Sequence, residues 1–236
     1  MSRAPRAVLF DAVGTLLRLR EPVGATYARL AAEHGARVPA GRLEEAFARC
    51  RAAAGPVGYA PGQDLAEAAA LERGWWRRLV DDTFRAADGA AVPRPFDAFF
   101  ERLFAHYGTA AAWELAPGAE GCLRELRARG VATAVVSNFD LRLPGVLRGL
   151  GVDALLDAVV LPAEVGAAKP ARAIFEAACE RLGVAAEEAA FVGDQPGEDL
   201  TGARAAGLRA VDAGALATLV ELPAALGLPP LATEPR

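Results

Sequence analysis

Polar residues of the types found in phosphate or metal sites follow apolar segments at several distant places in the chain. Asp11 comes directly after the apolar run Ala7–Phe10. The polar residues that end such segments or lie in the loops after them are Asp11, Ser137, Asn138, Lys169, Asp194 and Asp199. Carboxylates act as nucleophiles or bind hard cations, a lysine neutralises phosphate charge, and a hydroxyl donates a hydrogen bond to an oxygen. This set predicts phosphate chemistry supported by a cation.

The segment around Asp11 is the most informative of these. Ala7–Phe10 has no polar interruption, which is typical of a strand covered on both faces. Gly14 and Thr15 then break the regular backbone, so the sequence predicts that Asp11 lies at a tight turn beyond the carboxyl end of a strand. Taken alone, Asp11 fits a helix cap equally well. The polar residues in the other segments favour the interpretation that Asp11 belongs to a functional site.

The elements that must position these residues alternate between strands and helices after residue 117. The sequence predicts strands at 131–136, 158–161, 189–192 and 208–211 and helices at 118–129, 143–150, 171–182 and 197–206. Such alternation is typical of the α/β class, and we expect a Rossmann-like, doubly wound parallel sheet. Because parallel strands end at one edge of the sheet, the polar residues should converge there.

A long helical block interrupts this pattern. Helical periodicity and breaks at Gly and Pro predict helices at about 22–35, 39–54, 63–87 and 95–107, with no strand among them. We therefore expect a core domain made of residues 1–18 and 109–236 and an inserted, all-helical domain made of residues 19–108.

Composition excludes several classes of function. The net charge is −4 and the arginines alternate with Glu and Ala, so no basic stripe predicts nucleic-acid binding. The three cysteines are far apart and form no CxxC pair, which is typical of reduced thiols without a soft-metal site. Neither a signal peptide nor a membrane-spanning run is predicted, so we expect a cytoplasmic protein with no membrane partner.

Several residue types are almost absent from the chain, lysine and asparagine among them. Lys169 is the only lysine and Asn138 the only asparagine, and Ser137 is the only serine apart from Ser2. A GC-rich genome or thermophily explains the general avoidance of these types. Arginine cannot replace a compact ammonium that must fit at one oxygen, so the retention of Lys169 indicates a specific task.

Three converging carboxylates require compensation by positive charge. Two like charges about 4 Å apart repel by about 4 kcal/mol at an effective dielectric constant of about 20. A divalent cation together with Lys169 removes this penalty for Asp11, Asp194 and Asp199. Ligands that are all oxygen indicate Mg²⁺.

The polar segments, read in order, are DAVGTL, VVSN, KP and GDQPGED. This arrangement resembles the four motifs of the haloacid dehalogenase-like hydrolase superfamily, and the helical block resembles the type 1 cap of that family. The resemblance covers nearly the whole chain. Within the superfamily, the segments RLREPVGATYARLAAEHG and VVSNFDLRL and the Trp75–Trp76 pair resemble the subgroup of haloacid dehalogenase-like hydrolase domain-containing protein 3, which implies no firm substrate.

The resemblance implies roles for individual residues. Asp11 would be the nucleophile that accepts a phosphoryl group as an aspartyl phosphate, Lys169 would hold Asp11 and the transferring group, and Ser137 would donate to a phosphoryl oxygen. The substrate-binding residues that we expect are Ser137, Asn138, Gly14 and Thr15. The expected partner is a small phosphate ester, and the expected assembly is a monomer or a homodimer.

The resemblance also implies the metal ligands. Mg²⁺ would be held by Asp11, Asp194 and the backbone carbonyl of Val13, with Asp199 nearby but not bound directly to the ion.

Val13 departs from the pattern of the family. Phosphatases of the family have a second Asp at this position, which protonates the leaving oxygen and deprotonates the attacking water, and valine can do neither. General acid–base help is typically worth about 10²–10⁴ in rate. The site could be a phosphatase for leaving groups that need little protonation, or one that borrows a proton carrier from the helical block or Asp140. It could also bind metal and phosphate without useful turnover.

Carbon–halogen or phosphonate chemistry is the remaining alternative. Dehalogenases of the family have Tyr at the position of Val13 and its phosphonatases have Ala. Dehalogenation needs no cation, whereas GDQPGED is a metal-type motif. Phosphonatases use a lysine of the cap, but Lys169 is the only lysine and is already assigned.

Overall fold

The computed structural model describes residues 4–60 and 62–229. The strands are β1 (Ala7–Phe10), β2 (Leu17–Leu19), β3 (Trp113–Leu115), β4 (Ala132–Val136), β5 (Ala158–Val160), β6 (Ala189–Gly193) and β7 (Arg209–Asp212). The α-helices are α1 (Val23–Ala32), α2 (Ala40–Ala53), α3 (Leu65–Asp88), α4 (Phe96–Tyr107), α5 (Ala119–Ala128), α6 (Leu143–Gly149), α7 (Pro162–Val165), α8 (Arg172–Leu182), α9 (Gly202–Ala205) and α10 (Leu222–Ala225).

Five strands form one parallel sheet, and β1 is its central strand. The order is β5-β4-β1-β6-β7, with Phe10 opposite Val135 of β4 and Val192 of β6. The predicted α/β, Rossmann-like fold is therefore confirmed. Because all five strands run the same way, the residues after β1, β4 and β6 lie at one edge of the sheet.

Both faces of the sheet are covered. Ala7 and Leu9 belong to a buried cluster that includes Phe175 of α8 and Phe191 of β6. Neighbouring residues of a strand point to opposite faces, and Val8, between Ala7 and Leu9, is also fully buried. This is why β1 is apolar at every position rather than at alternate ones.

The chain divides into two compact units. Leu19–Trp113 form one unit, and the described residues on either side of this segment form the other. We expected the second boundary at residue 108/109, but the helical unit extends to Trp113. Two features explain the difference: Trp113 Nε1 donates to the Tyr107 carbonyl at 3.0 Å, and the Trp113 ring contacts the Tyr107 ring.

The helical unit has its own core. Four helices, α1 to α4, enclose aromatic and aliphatic side chains, among them Tyr27, Phe84, Phe99 and Leu103. Asp64 begins α3 by accepting the backbone N–H of Ala66 at 2.8 Å, an ordinary helix N-cap. That this unit acts as a cap for substrate stays a prediction.

Two local features were not predicted. Leu17–Leu19 and Trp113–Leu115 pair as a two-stranded sheet, whereas we expected no strand in this region. The predicted helix at 197–206 begins instead as a turn of π-helix at Pro196–Thr201 and becomes α-helical only at Gly202–Ala205. Such wide turns often occur at functional sites. None of the helices in residues 4–60 and 62–229 combines the length and the apolar character needed to cross a membrane.

Candidate active site

Asp11 lies at the carboxyl end of the central strand, where its backbone N–H donates to the Val192 carbonyl at 2.8 Å. The chain then turns sharply, because the N–H groups of Leu16 and Leu17 both donate to the Ala12 carbonyl. The Asp11 side chain is almost wholly buried. This burial raises the pKa of Asp11 to about 6, although the nearby Lys169 charge lowers it. The carboxyl group is therefore mostly ionised at neutral pH.

Gly14 allows the loop after β1 to approach the loop after β6. Its φ is +99°, and a Cβ at this position would lie 2.5 Å from Asp194 Oδ2. Both the backbone conformation and the lack of space require glycine. Thr15 follows, and its hydroxyl lies 3.5 Å from Asp194 Oδ1. Both predicted residues thus contact Asp194, and their contact with substrate stays a prediction.

Lys169 joins the two buried carboxylates of the site. Its Nζ lies 2.5 Å from Asp11 Oδ1 and 2.6 Å from Asp199 Oδ1, and all three side chains are buried. Burial alone would lower the pKa of Lys169, but the charges of Asp11 and Asp199 raise it above its usual value. The ammonium group therefore stays charged between the two carboxylates.

Asp199 is the most deeply buried acid of the group. It has no solvent exposure, and its Oδ2 accepts the backbone N–H of Gln195 at 3.0 Å while Oδ1 is bound to Lys169. Gly193 leaves room for this carboxylate, because a Cβ there would collide with it. Asp199 therefore holds Lys169 and the loop after β6 together.

Asp194 is more accessible than Asp199. Its Oδ2 accepts the side-chain amide of Gln195 at 2.9 Å. One oxygen atom from each of Asp11, Asp194 and Asp199 can be chosen so that all three lie within 4.8 Å of one another. Three carboxylates against the single charge of Lys169 leave an excess of two negative charges, which one divalent cation would balance. The donor set fits Mg²⁺, a hard cation that prefers oxygen.

Ser137 and Asn138 reach the same edge of the sheet from β4. Because Val135 is opposite Phe10, Ser137 lies just beyond the strand end, beside the turn that follows Asp11. Ser137 is buried, and its backbone N–H donates to Val160 at 3.3 Å. Asn138 is hydrogen-bonded to the backbone of Lys169. The structure thus brings all the predicted site residues to one edge, although their chemical roles stay predictions.

Two residues that the sequence analysis did not select are also at the site. Glu198 accepts a hydrogen bond from Asn138 Nδ2 at 3.0 Å, and Gln195 contacts both Asp194 and Asp199. Both lie inside the segment GDQPGED. Gln195 and Glu198 are polar residues between Asp194 and Asp199, so the sequence did contain a signal for them. Nothing in their spacing distinguished them from ordinary loop residues.

The position of Val13 offers no proton carrier. The residue is 39% exposed, and its backbone pairs with Leu17. Asp140, a candidate substitute, accepts hydrogen bonds from Arg142 Nε at 2.8 Å, from Arg142 Nη2 at 2.6 Å and from the Arg142 backbone N–H at 3.0 Å. A carboxylate paired in this way supports the loop structure and is poorly placed to exchange protons with a substrate.

Known proteins share both the sequence and the fold. The model of the haloacid dehalogenase-like hydrolase family matches residues 5–207. Haloacid dehalogenase-like hydrolase domain-containing protein 3 of Bos taurus is 36% identical over 205 residues, and the match covers 86% of this chain and 79% of that protein.

Solved structures include proteins named for different activities. A HAD phosphatase from Thermococcus onnurineus is 26% identical, with a TM-score of 0.59 and coverage of 94% of this chain and 97% of that chain. A dehalogenase determined with an intermediate complex is 25% identical, with a TM-score of 0.63 and coverage of 90% and 86%. The fold alone therefore does not choose between these activities, but sequence, fold and site agree on the family. The chain belongs to the haloacid dehalogenase-like hydrolase family.

Proposed function

We propose that the protein is a Mg²⁺-dependent phosphatase that acts on a small phosphorylated metabolite through an aspartyl phosphate. The observation that supports this most directly is the contact of Lys169 Nζ with Asp11 Oδ1 at 2.5 Å, beside a cluster of three carboxylates. Phosphoryl transfer depends mainly on charge neutralisation and in-line positioning. A buried ammonium group and a cation site next to a carboxylate nucleophile can provide both.

The reaction has two displacements at phosphorus. A carboxylate oxygen of Asp11 attacks, the bond between phosphorus and the leaving oxygen breaks, and the leaving oxygen takes the electron pair. Water then attacks phosphorus and the bond between phosphorus and the Asp11 oxygen breaks; the protons of the water stay on the released inorganic phosphate or pass to solvent, and Asp11 is restored as a carboxylate. Lys169 offsets the charge of the transferring group, and Ser137 donates its hydroxyl to a phosphoryl oxygen. Bound through Asp11, Asp194 and the Val13 carbonyl, Mg²⁺ would supply further neutralisation of phosphoryl charge.

Val13 restricts the substrates that this site can use. No proton is available from the side chain at that position, and Asp140 is engaged by Arg142. We infer that the preferred substrates have leaving groups that are stable without protonation, such as acyl, enol or aryl phosphates. An ordinary alkyl phosphate would lose the factor of about 10²–10⁴ that general acid–base catalysis provides.

A second candidate function is binding of metal and phosphate without useful turnover, in a regulatory or interaction protein. Val13 favours this candidate, because its aliphatic side chain stands where the reaction needs a proton carrier. Dehalogenation is less well supported, because the three clustered carboxylates suit a cation that this reaction does not need.

A long-lived phosphoenzyme is the direct test of the proposal. After the protein is mixed with acetyl phosphate and Mg²⁺, we expect intact-mass spectrometry to show the addition of one phosphoryl group. The adduct should persist because the water that cleaves it lacks a general base. Hydroxylamine should remove it, as expected for an acyl phosphate. An unmodified mass at every time point and at saturating acetyl phosphate would contradict the proposed reaction.

Mg²⁺ is expected to raise the thermal stability of the protein. A ligand at about 100 times its Kd stabilises the folded state by about 2.7 kcal/mol, and a chain of this size gains about 2–4 °C in Tm per kcal/mol. Asp194→Ala should abolish the shift measured by calorimetry. Asp212→Ala is a matched control, because Asp212 lies at the end of β7 and outside the carboxylate cluster. No shift in the wild-type protein would refute the metal assignment.

A further inference from the structure

The side-chain amide of Asn138 is hydrogen-bonded to Lys169 and to Glu198. Its Oδ1 accepts the backbone N–H of Lys169 at 2.7 Å. Its Nδ2 donates to the backbone carbonyl of Lys169 at 2.9 Å and to Glu198 Oε2 at 3.0 Å. A primary amide has two N–H donors, so Asn138 has no donor left for a substrate.

The backbone of Lys169 and the carboxylate of Glu198 together fix the orientation of this amide. With oxygen and nitrogen exchanged, the Asn138 oxygen would face the Lys169 carbonyl and the Glu198 carboxylate, and three acceptors would meet without a donor. The backbone N–H of Lys169 would also lose its acceptor. Only an amide in the observed orientation satisfies all three contacts, and an aspartate at position 138 could satisfy only one of them.

The loop that carries Lys169 is held from its other side as well. Ala171 N–H donates to the Ala168 carbonyl at 2.9 Å, which closes a turn around Lys169. Gly202 packs against Pro170, since a Cβ at position 202 would lie 3.0 Å from Pro170 Cα. The backbone of Lys169 is therefore fixed between the amide of Asn138 and the α9 glycine.

A fixed backbone matters because the lysine side chain is long and flexible. Four rotatable bonds separate the Lys169 backbone from Nζ, which must lie within 2.6 Å of both Asp11 Oδ1 and Asp199 Oδ1. Any shift of the loop would lengthen one contact or both. Lysine and asparagine each occur once in the chain, and these two single residues contact one another.

We propose that Asn138 is a positioning residue, oriented by Glu198, that holds the backbone of Lys169 so that Nζ stays between Asp11 and Asp199. This inference rests on the proposed function, because it gives Asn138 a part in the same phosphoryl transfer. It replaces the expected substrate-binding role of Asn138, because both amide donors are used within the protein.

We call the hydrogen bonds between the Asn138 amide and the Lys169 backbone the clamp. Because the chain has a single lysine, the clamp can be tested without measuring enzyme activity. Protein labelled with ¹⁵N-lysine gives one backbone amide signal, that of Lys169, and its hydrogen exchange reports the bond to Asn138 Oδ1. We expect exchange to be about tenfold faster in Asn138→Ala, which corresponds to the loss of one hydrogen bond. Glu198→Ala, which leaves Asn138 in place, should accelerate exchange about threefold.

A control variant distinguishes the clamp from a general loosening of the neighbouring loop. Thr201→Ala removes the hydrogen bond to the Pro196 carbonyl within the same π-helical turn as Glu198, without touching Asn138. Exchange of the Lys169 amide should be unchanged in this variant. Unchanged exchange in both Asn138→Ala and Glu198→Ala would overturn the proposal.

Steady-state kinetics distinguish positioning from substrate contact. In Asn138→Ala we expect kcat for an activated aryl phosphate to fall about tenfold while KM changes less than about twofold. A raised KM at unchanged kcat would identify a substrate contact and overturn the positioning role. If the wild-type protein shows neither turnover nor phosphoenzyme, the proposed function fails, and the Lys169 exchange rate still decides whether the clamp exists.

Discussion

Asp11→Asn is expected to lower the turnover of an activated aryl phosphate by about 10³-fold or more and to abolish the phosphoenzyme. Asparagine has nearly the same shape as aspartate, but its neutral amide oxygen does not attack phosphorus. The replaced carboxylate is the one that lies 2.5 Å from Lys169 Nζ in a buried site. Initial rates at saturating Mg²⁺ and intact mass after incubation with acetyl phosphate measure the two effects.

A loss of catalysis in Asp11→Asn must be distinguished from unfolding caused by the removal of a buried charge. Removing one partner of a buried ion pair typically costs about 3–5 kcal/mol when the other charge is left alone. In Asp11→Asn the cost should be smaller, because Lys169 keeps Asp199 as a partner at 2.6 Å.

Asp157→Asn is a matched control for Asp11→Asn. The Asp157 carboxylate accepts the Thr133 backbone N–H at 2.8 Å near the opposite end of β4. This variant should remain active. Full activity in Asp11→Asn would show that another residue is the nucleophile. Inactivity of both variants, together with an equal loss of melting temperature, would point to instability rather than to chemistry.

The centre of the sheet was predictable because its three central strands, β1, β4 and β6, are buried on both faces. Such strands have continuous apolar runs, and each run ends at a polar residue. β1, β4 and β6 are of this kind, so their order along the chain and their parallel direction were enough to place Asp11, Ser137 and Asp194 at one edge. The convergence followed from topology, and no side-chain detail was needed.

The supporting contacts were not predictable in the same way. The bonds between Asn138, Lys169 and Glu198 join loops that follow different strands, and no periodic pattern encodes the distance between such loops. The pairing of Leu17–Leu19 with Trp113–Leu115 involves only three residues on each side, too few to show an alternating pattern. The π-helical turn at Pro196–Thr201 depends on bonds to the Gln195 carbonyl, which helical periodicity does not reveal.

Val13→Asp is expected to raise the turnover of phosphate esters whose leaving groups need a proton, by about 10²–10⁴. The new carboxylate would follow the nucleophile by two residues and could protonate the leaving oxygen and then deprotonate the attacking water. Val13 is 39% exposed, so an aspartate of similar size should be tolerated. Rates should be compared across aryl and alkyl phosphates at saturating Mg²⁺, since a fourth carboxylate also strengthens the demand for a cation.

Val13→Asn separates proton transfer from polarity. Asparagine is polar and has nearly the size of aspartate, but it does not exchange a proton near neutral pH. Only Val13→Asp should raise turnover and shorten the lifetime of the phosphoenzyme. The gain should grow as the pKa of the leaving group rises, because poor leaving groups depend most on an acid. An equal gain in both variants would show that polarity, not a proton carrier, limits the wild-type protein. If the wild-type protein shows no detectable turnover and Val13→Asp does, the result would favour binding without catalysis as the natural function.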